Sequence, residues 1–256
     1  MEEKRETKVK VMNLTKKFDD LLVLDHISFD VKKGEFLCIV GPTGCGKTTF
    51  LNSLTKLYQP TSGEILINNE PVDLNKHSVA YIFQEYSTMP WLTVEENVRF
   101  GLEIKHTDQE TTDRKVNEYL EVVGLTKYRK YYPDQLSASM LQRVVIARAF
   151  ATEPELLLMD EPYGQLDIEL RFKLEDELLN LWKRNGTTVI FITHNIEEAV
   201  YLGERILVLT NKPTSIKKEI RNDLPRPRDI AAKDFVDLRN EVTDLDRKST
   251  RLNSSH

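Results

Sequence analysis

The chain has 256 residues, of which 40% are hydrophobic and 30% charged, with a formal net charge of -5. That is an ordinary globular balance, enough for one large domain or two small ones. The acidic balance gives no basic footprint for nucleic acid. No run of about 18 apolar residues is present to span a membrane, and the start M-E-E-K-R-E-T-K has no apolar segment of a secretion signal. Cys38 lies in an apolar run and Cys45 in a Gly-rich loop, which argues against a structural disulfide and fits a reducing cytoplasm.

In chain order, β-branched and apolar runs alternate with helical patterns, which predicts an α/β fold with a mostly parallel sheet. Early strands are expected at V-K-V-M-N-L, from Val9, and at I-S-F-D-V, from Ile27. A turn at Gly34 leads into F-L-C-I-V, residues 36–40, continuously apolar as a strand buried on both faces requires. A helix is expected over residues 49–57. Strands are expected at 79–83, 156–159 and 188–192, and a hairpin at 205–209 with 215–220. Between Gln84 and Ala151 the pattern turns helical. Thr93 and Glu96 form a capping box, a second helix is expected over 112–123, ended by Gly124, and an amphipathic helix follows Ser137 as its cap. Residues 85–151 therefore read as a helical insertion in the α/β core.

Residues 246–256, D-R-K-S-T-R-L-N-S-S-H, read as the translation of a sequencing-library adapter. They are set aside as a processing scar, so the domain is expected to span residues 1–245.

Gly41-Pro42-Thr43-Gly44-Cys45-Gly46-Lys47-Thr48 fits G-x-x-x-x-G-K-[ST] and falls between an expected strand and an expected helix. Glycine lets the backbone wrap closely enough for several N–H groups to face one phosphate. Lys47 would reach the β- and γ-phosphates of a nucleoside triphosphate, and the Thr48 hydroxyl would ligate Mg2+. At 156–161, L-L-L-M-D-E drives a buried strand whose end presents Asp160, for the Mg2+ shell, and Glu161, as general base on the attacking water.

Further elements follow in one order: Gln84 after a strand, L-S-A-S-M-L-Q-R from Leu136, D-E-P-Y-G-Q-L-D from Asp160, and T-H-N from Thr193. With these motifs the chain resembles the nucleotide-binding subunit of ATP-binding cassette (ABC) transporters over about residues 8–245. The resemblance implies a P-loop NTPase with a RecA-like core, an N-terminal antiparallel β-subdomain and the inserted helical subdomain. It also implies ATP and Mg2+ as ligands. Phe18 would stack on adenine, and the loop from Gly41 through Thr49 would hold the phosphates. Gln84 would ligate Mg2+ and sense the γ-phosphate, His194 would bond the γ-phosphate and orient it against Glu161, and Asp167 would end a loop crossing to an opposing subunit. Asn195 reads as a helix cap with Glu198 at the third position. The implied partners are a second ABC ATPase subunit, integral-membrane permease subunits and, indirectly, a solute-binding protein. The implied location is the cytoplasmic face of the membrane, as a peripheral subunit. Two such domains would stack head to tail, so the helix starting at Ser137 would face the other subunit's γ-phosphate.

S-T-M-P-W-L-T-V-E-E-N-V (87–98), D-E-P-Y-G-Q-L-D and L-P-R-P-R-D (224–229) resemble the branch importing nitrate, sulfonate, taurine and related small solutes. Met89, Pro90 and Trp91 form an apolar edge for a permease helix, or Trp91 packs onto its own core. One departure stands out. The family pattern at the helix start is L-S-G-G, and here Leu136-Ser137-Ala138-Ser139 stands instead. The added bulk either holds a phosphate away from the helix terminus, where one lost donor costs about 10²–10³ in rate, or Ser139 supplies a new hydroxyl. The first reading is favoured, which leaves open a catalytically impaired subunit working in an asymmetric pair.

Overall fold

The computed structural model describes residues 5–164 and 166–251. Gln165 of the D-E-P-Y-G-Q-L-D stretch and residues 252–256 of the tail lie outside the described residues. In chain order the strands and helices are β1 (Thr7–Phe18), β2 (Leu21–Lys32), β3 (Phe36–Val40), α1 (Lys47–Leu54), β4 (Ser62–Ile67), β5 (Glu70–Pro71), β6 (Val79–Ile82), α2 (Val94–Ile104) and α3 (Gln109–Val122). Then come α4 (Ala138–Ala151), β7 (Leu156–Asp160), α5 (Ile168–Asn185), β8 (Thr188–Thr193), α6 (Ile196–Leu202), β9 (Arg205–Leu209), β10 (Ile216–Arg221) and α7 (Lys233–Arg251). The chain divides into two compact units, one of residues 1–77 with 188–256 and the other of residues 78–187.

The first unit holds an antiparallel sheet in the order β2-β1-β4-β5. In β1, Val9 and Val11 are buried at the period of two that a half-buried strand requires, and a register irregularity between Val11 and Leu14 brings Leu14 back to the core. In the same unit β3 runs parallel to β8 and to β9, with Cys38 opposite Phe191 on one side and Ile206 on the other. All five residues of β3 and all six of β8 are buried, as expected of strands covered on both faces. β9 and β10 form the anticipated antiparallel hairpin. The mostly parallel core and the antiparallel N-terminal sheet are both as the sequence predicts.

The C-terminal part of this unit explains L-P-R-P-R-D. Helix α6 ends at Leu202 with open carbonyls, and Arg228 donates to the carbonyls of Val200, Tyr201 and Gly203, each at 2.8 Å. Arg226 donates to Tyr201 at 3.2 Å, and the Asn222 amide donates to Val200 and Gly203. Cations suit a helix C-terminus because its carbonyls carry partial negative charge. Burial, with Arg226 beside it, holds the Arg228 guanidinium down to about 10. Helix α7 runs on through residues 246–251.

The second unit pairs β6 with β7 in parallel and packs α2 and α3 against α4. Thr93 and Glu96 make the expected box: the Thr93 N–H donates to Glu96 at 2.7 Å and the Glu96 N–H donates back to Thr93 at 3.3 Å.

Three local expectations are revised. α1 starts at Lys47 and stops at Leu54, not 49–57; Lys56, just past its end, takes a left-handed φ of 59°, which no helix continues through. α3 starts at Gln109 because Asp108 caps it, accepting from the Thr111 N–H at 2.9 Å. α4 is not amphipathic: Val144, Val145, Ile146, Ala147, Ala149 and Phe150 are all buried, so it is covered on nearly every side, as a central helix must be. The strand β4 had no counterpart in the sequence reading. Its S-G-E-I-L-I pattern is too short and too mixed for periodicity to separate from a loop.

Candidate functional site

The phosphate loop leaves β3 at Gly41 and enters α1 at Lys47. Gly44 and Gly46 have φ of 74° and 118°, a region that side-chain-bearing residues avoid. A Cβ at Gly41 would stand 2.9 Å from the Leu209 Cβ, and one at Gly46 2.9 Å from the Val23 Cγ1, so both are also required by close approach. The loop closes on itself. The Cys45 N–H donates to the Pro42 carbonyl at 3.1 Å, Thr214 Oγ1 donates to the Cys45 carbonyl, and Lys47 Nζ donates to the carbonyls of Gly41 and Pro42 at 2.9 and 3.2 Å. Lys47 is 5% exposed, whereas Thr48 faces solvent. Cys38 and Cys45 are both free thiols and buried, and burial pushes the Cys45 thiol up, which makes it unreactive.

Helix starts separate into two kinds. α2, α3, α5 and α6 are capped by Thr93, Asp108, Asp167 and Asn195 and carry an acid in the first turn. α1 has neither a side-chain cap nor an acid there. α4 has the Ser137 cap, with Oγ accepting from the Met140 N–H at 3.4 Å, and no acid. Acids at a helix start neutralise its N–H groups. The two helices without them, α1 and α4, are those whose starts the sequence assigned to phosphate.

In the first unit His194 follows β8, and both of its neighbours are pinned. Thr193 Oγ1 donates to Glu198 at 2.5 Å and accepts from the Asn195 N–H at 2.9 Å. Asn195 accepts from the N–H groups of Glu197 and Glu198 at 2.9 and 3.4 Å. Asn195 is therefore the cap the sequence predicts, but Glu198 does not return to it; its carboxylate goes to Thr193, which the sequence reading missed. The imidazole of His194 is left exposed. Phe18 ends β1 with its ring 37% exposed, edge-on to Tyr58 at 5.3 Å, and with Lys16 Nζ 4.7 Å from its centroid.

In the second unit Asp160 ends β7, 4% exposed, with the Tyr81 hydroxyl donating to it at 3.4 Å. Glu161 follows at φ 45°. A non-glycine residue held there is strained, which is common at catalytic positions, and the Gly164 N–H donates to its carbonyl at 3.2 Å. Gln84 is exposed just beyond β6. The Asp167 carboxylate caps α5, accepting from the Leu170 N–H at 3.0 Å, so its carboxylate has a local structural role. Ser139 is 8% exposed, and its Oγ lies 3.2 Å from that of Ser137. Trp91 does not pack on its own core: it is 73% exposed.

A family model described as ABC transporter matches residues 24–164. The chain belongs to the ABC transporter family. It is an ATP-binding cassette and an ATPase. An uncharacterised ABC transporter ATP-binding protein of Methanocaldococcus jannaschii is 41% identical over 247 residues, covering 95% of this cassette and 92% of that protein. The aliphatic sulfonates import ATP-binding protein SsuB of Bacillus cereus is 44% identical over 220 residues, covering 86% of each. The dimeric bacterial ABC transporter cassette MJ0796 has a similar structure, with a TM-score of 0.75 at 32% identity over 85% of this chain and 100% of that one. It is also known in a dimeric post-hydrolysis state bound to ADP and Pi. Among the described residues, no helix of the cassette is long and apolar enough to cross a membrane.

Proposed function

We propose that this cassette is the ATP-hydrolysing subunit of an importer of small solutes of the nitrate, sulfonate and taurine kind. In this reading it is a peripheral subunit on the cytoplasmic face of the membrane, bound to permease subunits and paired with a second cassette across ATP. The observation that carries the reading is the pair of helix starts with no acid in the first turn: that of α1 within its own phosphate loop, and that of α4, which has only the neutral Ser137 cap. A single nucleotide-binding module needs only the first. The aliphatic sulfonate relatives support the solute class.

The residues present fit a magnesium nucleotide. The loop is a glycine cradle with no room for a Cβ at Gly41, and the exposed Thr48 hydroxyl of the first unit and the buried Asp160 carboxylate of the second are each oxygen donors of the kind Mg2+ takes. When bound, the ion neutralises charge on the β- and γ-phosphates. The N–H groups from Gly44 to Thr49 would hold the phosphates, and Lys47 would turn from the loop carbonyls to them. Phe18 would lie under the base. Glu161 would accept the proton of the attacking water at its carboxylate. His194 Nε2 or Nδ1 would bond the γ-phosphate and hold its direction. Gln84 would hold a place between ion and water. Ser137 and the first N–H groups of α4 would serve the partner's nucleotide.

A second reading, an impaired subunit in an asymmetric pair, is supported by one feature: Ala138 is exposed at the start of α4, where its methyl stands in the way of an approaching phosphate. Hydrolysis of Mg-ATP by the full chain, compared with Glu161→Gln, decides between them. Turnover that the substitution removes supports the motor. Silent wild type with intact ATP binding supports the impaired subunit. Uptake of a labelled alkanesulfonate by the cassette assembled with its permease tests the solute class.

A further inference from the structure

The loop from Phe83 to Thr93 is held unevenly. Its far half is tied to the helices: the Met89 N–H donates to Asn97 Oδ1 at 2.8 Å, and the Asn97 amide donates to the carbonyls of Met89, Leu92 and Thr93 at 3.0–3.1 Å. Asn97 itself is fully buried in α2. Between this anchor and Gln84, one more tie is found among the described residues, Arg148 Nη2 donating to Ser87 Oγ at 2.7 Å. Arg148 belongs to α4, eleven residues on from Ser137, or about 16 Å along the helix. Ser87 is three residues from Gln84, at most about 11 Å of chain.

This tie is hard to release. Burial holds the Arg148 guanidinium below its usual value, and Ser87 is the hydrogen-bond partner the structure gives it. A buried cation stripped of its acceptor is costly. The stretch between Gln84 and the tie is less settled. The Tyr86 hydroxyl is buried with no hydrogen-bond partner among the described residues, as in a segment that has another arrangement open to it.

We propose that Arg148 and Ser87 form a latch that moves the loop carrying Gln84 together with the helix that begins at Ser137. Arg148 and Ser87 are positioning residues in this scheme. What the start of α4 meets is passed down a rigid helix to Ser87, and three residues further to Gln84. Within one cassette, the response to the partner's nucleotide thereby reaches the side chain that attends its own. The functional half of this inference rests on the roles proposed above for Gln84 and Ser137; the latch itself rests only on the geometry.

The test uses the full chain in two arms. In amide hydrogen exchange, Ser87→Ala is expected to speed exchange over residues 84–90 about tenfold, the worth of one charge-assisted hydrogen bond, while β7 is unchanged and Ser87→Thr, which keeps the hydroxyl, restores protection. Unchanged exchange over 84–90 overturns the latch, whatever the protein's function. The second arm is Mg-ATP turnover in a double-mutant cycle. If Ser87 acts through Gln84, Ser87→Ala lowers kcat with KM little changed and has no further effect in Gln84→Ala. Additive losses overturn the positioning role. Arg148→Lys, which keeps one donor and the charge, is expected to fall between wild type and Ser87→Ala in both arms. A wild type without turnover but with the exchange response leaves the latch standing and removes the functional reading.

Discussion

The hydroxyl oxygens of Ser137 and Ser139 lie 3.2 Å apart, and Ser137 also accepts from the Met140 N–H. Ser139 is thus turned into its own chain, and the departure from L-S-G-G divides into one buried and one exposed change. In the proposed reading the steric burden on an incoming phosphate would fall on Ala138, which is exposed. Ala138→Gly is therefore expected to raise Mg-ATP turnover by about tenfold, roughly 1.4 kcal/mol of barrier, and Ser139→Gly by clearly less. Steady-state hydrolysis of the two single variants checks this, and a larger gain from Ser139→Gly would place the burden on the other residue.

Glu161, the proposed general base, is also held in a strained backbone conformation. Its φ of 45° suits glycine, so Glu161→Gly is expected to stabilise the fold by about 1 kcal/mol while removing turnover. Glu161→Gln keeps the strain and loses turnover by about 10²–10⁴. Thermal unfolding beside hydrolysis separates the two effects, and a lower melting temperature for the glycine variant contradicts the strain argument.

In the helical unit Glu95 accepts from Arg129 Nε at 2.9 Å and pairs with Lys130 at 3.0 Å. The Arg129 hydrogen bond, with Lys130 helping and against burial, holds its carboxyl down to about 2, from an ordinary 4.5. A depressed folded value means that the unfolded chain takes up this proton first as acid is added. The contribution is complete above about 4.5 and is lost as pH falls toward about 2. Glu95→Gln should flatten the stability profile across that window. Urea midpoints measured from about pH 6 to about pH 2 read it directly, and parallel profiles would deny Glu95 a part in acid unfolding.

Arg228 closes the end of α6 with three carbonyl bonds in a buried setting. Arg228→Ala should cost about 2–3 kcal/mol by removing three charge-assisted bonds from carbonyls that keep only their second donors, Asn222 and Arg226. Arg228→Lys should recover little, because a point charge on a flexible stem does not reach them in one plane. Chemical denaturation provides the comparison; a neutral lysine variant would mean that charge alone matters there.

Short-range chemistry was legible before any coordinates. Glycines at the positive-φ positions Gly44 and Gly46, the Thr93–Glu96 box, the Ser137 and Asn195 caps and the apolar runs of β3, β7 and β8 each depend on a few neighbouring residues, so their spacing alone shows them. Less was legible where a residue answers to a distant one. Arg226 and Arg228 are consumed at the end of a helix more than twenty residues earlier.

The sequence by itself determined the nucleotide chemistry of this protein, because a phosphate loop, a strand-end acid pair and an anion-seeking helix start are local arrangements of backbone N–H groups and charge. Tertiary structure alone decided which groups are exposed and which are joined: that Ser139 is turned inward while Ala138 and Trp91 face out, that α4 is covered on nearly every side, and that Arg148 holds Ser87. Burial and pairing of this kind come from packing residues far apart in the chain, and no local pattern encodes them.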